Sequence, residues 1–222
     1  MKSIFPDPSL AEEDGLLTVG GFISPTVLID AYTHGIFPWP VSIDLPLAWF
    51  SPDPRGVILM DDFRISKSTL KSFKQAEFTC SFNTQFKKVI NSCAHHHSRN
   101  FSNETWITPE LINGYCELHE KGNAYSIETY NKENVLVGGL YGVNINGFFS
   151  GESMFFTQSN ASKFALYKLL LFLKENDIKM LDTQMITPIT KKFGGKYISR
   201  KDYLSILPGI FEVKAPIMQI NK

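Results

Sequence analysis

Residues 135–156 read Val-Leu-Val-Gly-Gly-Leu-Tyr-Gly-Val-Asn-Ile-Asn-Gly-Phe-Phe-Ser-Gly-Glu-Ser-Met-Phe-Phe. Two strand-like runs, Val135–Ile145 and Phe148–Phe156, flank Asn146-Gly147. Both of those residues tolerate the positive φ of a tight hairpin turn. The stretch therefore reads as an antiparallel ribbon. Its return strand is apolar or small except for one carboxylate, Glu152. Strict alternation puts Ser150, Glu152 and Met154 on one face. A carboxylate beside Met154 is costly to bury unless it is paired. Either an internal Arg or Lys satisfies it, or an incoming cation does.

Outward from the ribbon, Tyr125–Tyr130 reads as a preceding strand. A helix over Ala161–Glu175 follows, capped by Ser159 or Asn160. Ile178–Gln184 is a further strand, Pro188–Phe193 a short helix and Arg200–Leu207 the last helix. Upstream, Ser66–Lys74 and Asn83–Cys93 carry helical patterns. Thr108-Pro109-Glu110 starts a helix with a capping hydroxyl, a first-turn proline and an acid at the positive end, and Gly122 can end it. A meander of antiparallel strands that feeds a helix and then a strand is an α+β arrangement. By analogy it suits the acyl-CoA N-acyltransferase-like fold, a mainly antiparallel sheet flanked by helices. Residues 1–60, irregular and rich in proline and glycine, with one helical candidate at Ser24–His34, read as a small N-terminal domain. Residues 61–222 form the main one.

A chain of 222 residues with 43% hydrophobic and 20% charged residues has the composition of an ordinary globular protein. No apolar run approaches the roughly 20 residues that span a bilayer. Met1–Leu10 lacks the apolar core of a signal peptide, so a cytoplasmic location is expected. Cys80, Cys93 and Cys116 are odd in number and widely spaced, as suits reduced thiols. His95-His96-His97 lacks zinc-ligand spacing and reads as a polar loop. The sequence carries no phosphate loop, dinucleotide fingerprint or nucleophile elbow. Net charge is zero but unevenly spread: residues 1–62 hold two bases against nine acids. Lys191, Lys192, Lys196, Arg200 and Lys201 form an acid-free cluster, either a solvated face or a holder of phosphates.

Asp182 and Gln184 are the second polar interruption of a strand. Two apart, they share a face under strict alternation, so either an acid orients an amide that meets a substrate or the pair is simply the polar end of a strand. Trp49, Trp106 and Tyr115 are core aromatics or stacking platforms.

These stretches together resemble one family. Tyr32–Trp39, Trp49–Arg55, Thr105–Thr108, Leu118-His119, Leu136–Gly142, Gly151–Phe155, Asn160–Lys163 and Leu181–Gln184 resemble, in order and spacing, the signatures of leucyl/phenylalanyl-tRNA–protein transferases. The resemblance runs from about Tyr32 to Leu207. It implies a small N-terminal domain, an acyl-CoA N-acyltransferase-like domain, and no metal or cofactor. It implies transfer of Leu or Phe, with Met as a further donor, from aminoacyl-tRNA to proteins with N-terminal Arg or Lys, which are thereby marked for degradation. A monomer is expected.

Carried over residue by residue, the resemblance makes Asp182 and Gln184 the catalytic pair and Glu152 the acid beside the acceptor's basic residue. Leu140, Phe149, Met154, Leu169, Leu173 and Leu181 match the aminoacyl side-chain pocket. Phe149 lies opposite Met154 under strict alternation, so either a bulge intervenes or one of the two assignments is wrong. Trp49 and Trp106 match the aromatics that hold the terminal adenosine. Lys191, Lys192, Lys196 and Arg200 are the candidates for the acceptor stem. The chain departs from the family pattern at Phe50, where a second tryptophan is frequent, at Ile189, where histidine is usual, and at Ser199, where proline is usual. Leu169 and Leu173 stand where some relatives carry aromatics. Rival readings are an acyl-CoA-dependent N-acyltransferase and a non-catalytic binder of basic N-termini.

Overall fold

The computed structural model describes residues 3–40, 45–96 and 105–212. In chain order the elements are β1 (Leu16–Val19), α1 (Pro25–Thr33), β2 (Phe37–Pro38), β3 (Ala48–Phe50), β4 (Arg55–Leu59), α2 (Lys67–Gln75) and β5 (Thr79–Phe82). They continue with α3 (Phe86–His96), α4 (Pro109–Glu120), β6 (Ala124–Tyr130), β7 (Leu136–Ile145) and β8 (Phe148–Phe156). The last are α5 (Ala161–Glu175), β9 (Met180–Gln184), α6 (Pro188–Lys192), β10 (Lys196–Ile198) and α7 (Arg200–Phe211).

The hairpin stands where the sequence puts it. Asn146 takes φ 53° at the turn, and β7 pairs antiparallel with β8. The large sheet has the order β10-β4-β9-β8-β7-β6-β5. Every neighbouring pair is antiparallel except β8 and β9, which run parallel and are joined through α5. A small sheet, β1-β3-β2, occupies the N-terminal part that the sequence suggested was irregular. β4 falls within the first 60 residues but lies inside the large sheet, between β10 and β9.

Two cores sandwich the large sheet. On one face α5 buries Ala165, Leu166, Leu169, Leu170 and Leu173 against Ile127, Leu140, Phe149 and Leu181. On the other, α1, α3 and α4 close over Tyr141, Val143, Phe148 and Phe155. Each fully buried Leu or Phe contributes roughly 1.5–3 kcal/mol. α5 sits close on the sheet because Gly138 has no Cβ: one there would lie 2.6 Å from that of Ala161. Thr108 caps α4 through Leu111 N–H as expected. Asn160 precedes α5 in the left-handed region but does not cap it, its side chain taking Lys163 Nζ at 2.8 Å instead. Among the described residues, no helix is long and apolar enough to cross a membrane.

Candidate active site

The parallel pairing of β8 with β9 covers only Phe149↔Leu181 and Ser150↔Asp182. Beyond those pairs the strands part, and a cavity of about 230 Å³ opens beside them. Its lining includes Gly151–Met154 of β8, Leu140 and Tyr141 of β7, Leu166 and Leu169 of α5, and Leu181, Thr183 and Gln184 of β9 with Met185 just beyond it. Phe37, Pro38, Trp39 and Trp106 also line it, together with Thr187 and Thr190.

A β-bulge gives β8 its reach into this space. Tyr141 pairs with Ser153 and Gly142 with Gly151, so Glu152 is the extra residue. Gly142 permits this: a Cβ there would collide with the Ser150 carbonyl and the Phe149 ring. The bulge corrects the alternation expected from sequence. Phe149 and Met154 both belong to the α5-side cluster, whereas Ser150 and Glu152 face the polar network on the other side. Glu152 is therefore parted from Met154.

Glu152 Oε1 accepts from Ser150 Oγ at 3.0 Å and from Gln184 Nε2 at 3.2 Å, while Oε2 accepts from Tyr115 Oη at 3.2 Å. Tyr115 is backed by the Tyr32 hydroxyl at 2.6 Å. Among the described residues no cation forms an ion pair with Glu152. Burial pushes its carboxyl up to about 7, against the stabilising hydroxyl donors. Burial likewise raises the Tyr32 and Tyr115 hydroxyls well above 10, so both stay protonated donors.

The internal cation goes to the other acid. Arg55 meets Asp182 through Nε at 3.0 Å and Nη2 at 2.6 Å. Asp182 also accepts from Tyr203 Oη at 2.7 Å and from the backbone N–H of Gln184 at 2.9 Å. Burial opposes the Arg55 charge, but Asp182, Tyr203 and Glu152 together outweigh it, and the guanidinium pKa rises. These four hydrogen bonds occupy the carboxylate, which has about four acceptor sites. Asp182 and Gln184 do not present side chains to one another as alternation predicted. A second bulge, where Gly56 pairs with Gln184 and Val57 with Asp182, sets Thr183 between them. Gln184 takes φ 54°, and Asp182 orients it through its backbone. The Gln184 side chain donates to Ser150 Oγ at 2.7 Å and to Glu152, leaving its Oε1 without a donor among the described residues.

The remaining sequence-derived residues divide. Leu140, Met154, Leu169 and Leu181 line the cavity, whereas Phe149 and Leu173 are fully buried behind it. Trp106 lines it too. Trp49 does not: it is 1% exposed, its indole N–H bonds the Gly20 carbonyl and Phe5 packs on it. Trp39 is the second tryptophan at the cavity. The sequence signal lay in Tyr32–Trp39, but proximity of Trp39 to Trp106 is a tertiary fact. Lys191 and Lys192 are exposed at the end of α6. Lys196 pairs with Asp62 at 2.7 Å, and Arg200 donates to the Ser51 and Ala11 carbonyls. Arg200 is thus tied to backbone carbonyls, whereas Lys196 keeps an exposed side chain in a surface pair.

At the departures, Phe50 packs with Phe37 and Trp39, Ile189 joins the α5-side cluster, and Ser199 caps α7. His95 sits on α3, its ring on the Asn91 carbonyl; the His96 side chain and all of His97 lie outside the described residues.

The family described as leucyl/phenylalanyl-tRNA protein transferase matches residues 57–208, and its N-terminal domain matches residues 21–53. A leucyl/phenylalanyl-tRNA–protein transferase of Colwellia psychrerythraea is 44% identical over 200 residues, 88% of this chain and 82% of that protein. One of Flavobacterium johnsoniae is 44% identical over 203 residues, 91% of this chain and 94% of that protein. Among solved structures, L-PGS from Bacillus licheniformis aligns with a TM-score of 0.43 at 12% identity over 70% of this chain and 48% of that one, a likeness too weak to bear on function. With both of its parts matched and close relatives covering most of its length, the chain belongs to the leucyl/phenylalanyl-tRNA protein transferase family of enzymes.

Proposed function

We propose that this chain transfers Leu or Phe, and Met as a third donor, from aminoacyl-tRNA to the α-amino group of proteins that begin with Arg or Lys. The observation that carries the acceptor assignment is Glu152: a carboxylate at the cavity, 3.2 Å from the Gln184 amide, with no cation at ion-pair distance among the described residues. A guanidinium or ammonium supplies the charge-assisted hydrogen bonds it lacks. Leu140, Met154, Leu166, Leu169 and Leu181 offer an apolar wall to the donor's side chain, and Trp39 and Trp106 offer ring faces to its adenosine. Lys191 and Lys192 are exposed cations suited to acceptor-stem phosphates.

The reaction is aminolysis of an ester. The acceptor's nitrogen attacks the ester carbonyl carbon. The new C–N bond forms, the C–O bond to the ribose breaks, and the ribose oxygen takes up a proton. The α-ammonium, whose ordinary pKa is about 7.7–8.0, must first lose one. An amide is too weak a base to take it, so Gln184 acts by position. Its Nε2 is held by Ser150 and Glu152, and its Oε1 is left to accept an N–H from the amine. Proximity of amine and ester supplies much of the rate. The reaction needs no metal or cofactor and takes place in the cytoplasm, with the chain acting as a monomer. The extended proteins are marked for degradation by their new N-terminal residue.

The test is to incubate the purified chain with Leu-, Phe- or Met-charged tRNA and a peptide beginning with Arg, and to follow peptide mass. The expected result is a gain of one residue that disappears in Gln184→Ala. Peptide binding without mass gain from any donor would instead favour a non-catalytic binder of basic N-termini.

A further inference from the structure

We infer that Arg55 is a positioning residue of the transfer reaction, tying the aromatic wall of the cavity to the wall that carries Gln184. The reaction named here rests on the proposed function; the contacts do not. Arg55 is 1% exposed and uses its fork in two directions. Nε and Nη2 hold Asp182, whose Oδ1 accepts the Gln184 backbone N–H. Nη1 donates to the Gly35 carbonyl at 3.1 Å. Gly35 turns the chain from α1 into β2 at φ 76°, and Phe37 to Trp39, just beyond, line the cavity. The guanidinium carbon also lies 4.8 Å from the Phe37 ring centroid and 4.5 Å from that of Tyr203. One side chain thus sets the spacing between Phe37–Trp39 and Gln184, while Tyr203 of α7 steadies the same carboxylate.

Stability alone is a poor reason for this arrangement, since buried ion pairs are often replaced by apolar residues at no loss. A reactive site, however, needs its parts held within about 0.5 Å. Lysine retains the charge but cannot reach two carboxylate oxygens and a carbonyl at once.

The test compares Arg55→Lys and Tyr203→Phe with wild type in the full chain. It measures thermal unfolding, folded fraction, and kcat and KM for Leu-tRNA and Phe-tRNA separately. Folded Arg55→Lys is expected to lose about 100-fold in kcat, as a displacement near 1 Å implies. Its Leu-to-Phe ratio should also shift, because the wall spacing has changed. A purely structural role would lower both donors in proportion to the folded fraction, and that result, or unchanged kinetics, overturns the inference. If Arg55→Lys does not fold, Tyr203→Phe decides by the same two readouts. Tyr203→Phe keeps the ring and the ion pair and should show a smaller loss in the same direction. A wild type that transfers nothing defeats the proposed reaction instead. Arg55 is then judged by binding of amide-linked phenylalanyl-adenosine to the folded variants: weaker binding supports its role, and equal binding overturns it.

Discussion

The Gln184 amide donates to the Glu152 carboxylate at 3.2 Å beside the gap where β8 and β9 part. The bond joins the two β-bulges: Glu152 is the extra residue of one, and Gln184 follows the extra residue of the other. Amide and acid are thereby fixed together on the wall of one cavity, the arrangement on which the acceptor assignment rests.

Glu152→Gln keeps the shape and removes the charge. The KM for a peptide beginning with Arg is expected to rise at least about tenfold, since hydrogen bonds to charged groups are worth roughly 1.5–3 kcal/mol. Steady-state kinetics against an Arg-initiated and a Leu-initiated peptide check this. An unchanged KM for the Arg peptide removes Glu152 from the acceptor site.

The raised carboxyl of Glu152 makes a pH prediction with a definite sign. Its ordinary value is 4.5 and burial lifts it to about 7, so between those values the folded chain binds more protons than the unfolded one. The contribution of Glu152 to stability therefore falls as pH rises from about 4.5 to 7. Urea unfolding at pH 5 and pH 8 should show a loss in wild type that Glu152→Gln lacks, each tenfold difference in acidity between the two states being worth about 1.4 kcal/mol. Acceptor binding runs the other way, because only the ionised carboxylate attracts a cation: the KM for an Arg peptide should fall as pH rises through 7.

Trp39→Ala and Trp106→Ala remove ring faces from the cavity, whereas Trp49→Phe alters only the N-terminal core. Stacking is worth about 1–3 kcal/mol per base. Each alanine variant should weaken binding of an aminoacyl-adenosine about fivefold or more, measured by calorimetry. Trp49→Phe should lower the melting temperature and leave that affinity alone; a matching affinity loss in Trp49→Phe contradicts the assignment.

Leu169→Ala enlarges the apolar wall and should shift donor ranking toward Phe over Leu. Leu173→Ala lies one turn on but behind the wall, so it should cost about 2–5 kcal/mol of stability without changing the ranking. Competition between Leu-tRNA and Phe-tRNA for one peptide reads both.

Reversing charge at Lys191 and Lys192 should weaken tRNA binding and flatten its dependence on log salt, by about one in slope for each phosphate no longer neutralised. Arg200→Ala should act on stability instead, since its guanidinium is spent on the Ser51 and Ala11 carbonyls. A salt slope identical to wild type in the double reversal would put the tRNA on another face.

Much of this protein could be read locally. The Asn146-Gly147 turn, the span of β8, the whole of α5 and the Thr108 cap stand as their own residues dictate, because turns, caps and periodic faces depend on neighbours within a few positions. The candidate-site residues Glu152, Asp182 and Gln184 were visible as polar interruptions of apolar strands. The N-terminal strands β1, β2 and β3 were not, being two to four residues long among prolines and glycines.

What only the tertiary structure decided is how those residues meet. Arg55 and Asp182 stand 127 positions apart, so nothing in sequence spacing says that the internal cation pairs directly with Asp182 rather than with Glu152. Two bulges overrule the alternation of β8 and β9, and a bulge is set by the register of a partner strand. Trp39 lines the cavity and Trp49 does not: Trp49 sits on the central strand β3, flanked by β1 and β2, whereas Trp39 follows the edge strand β2. Local sequence supplies the propensities and the reactive groups; long-range pairing fixes which face each group takes, and therefore what it touches.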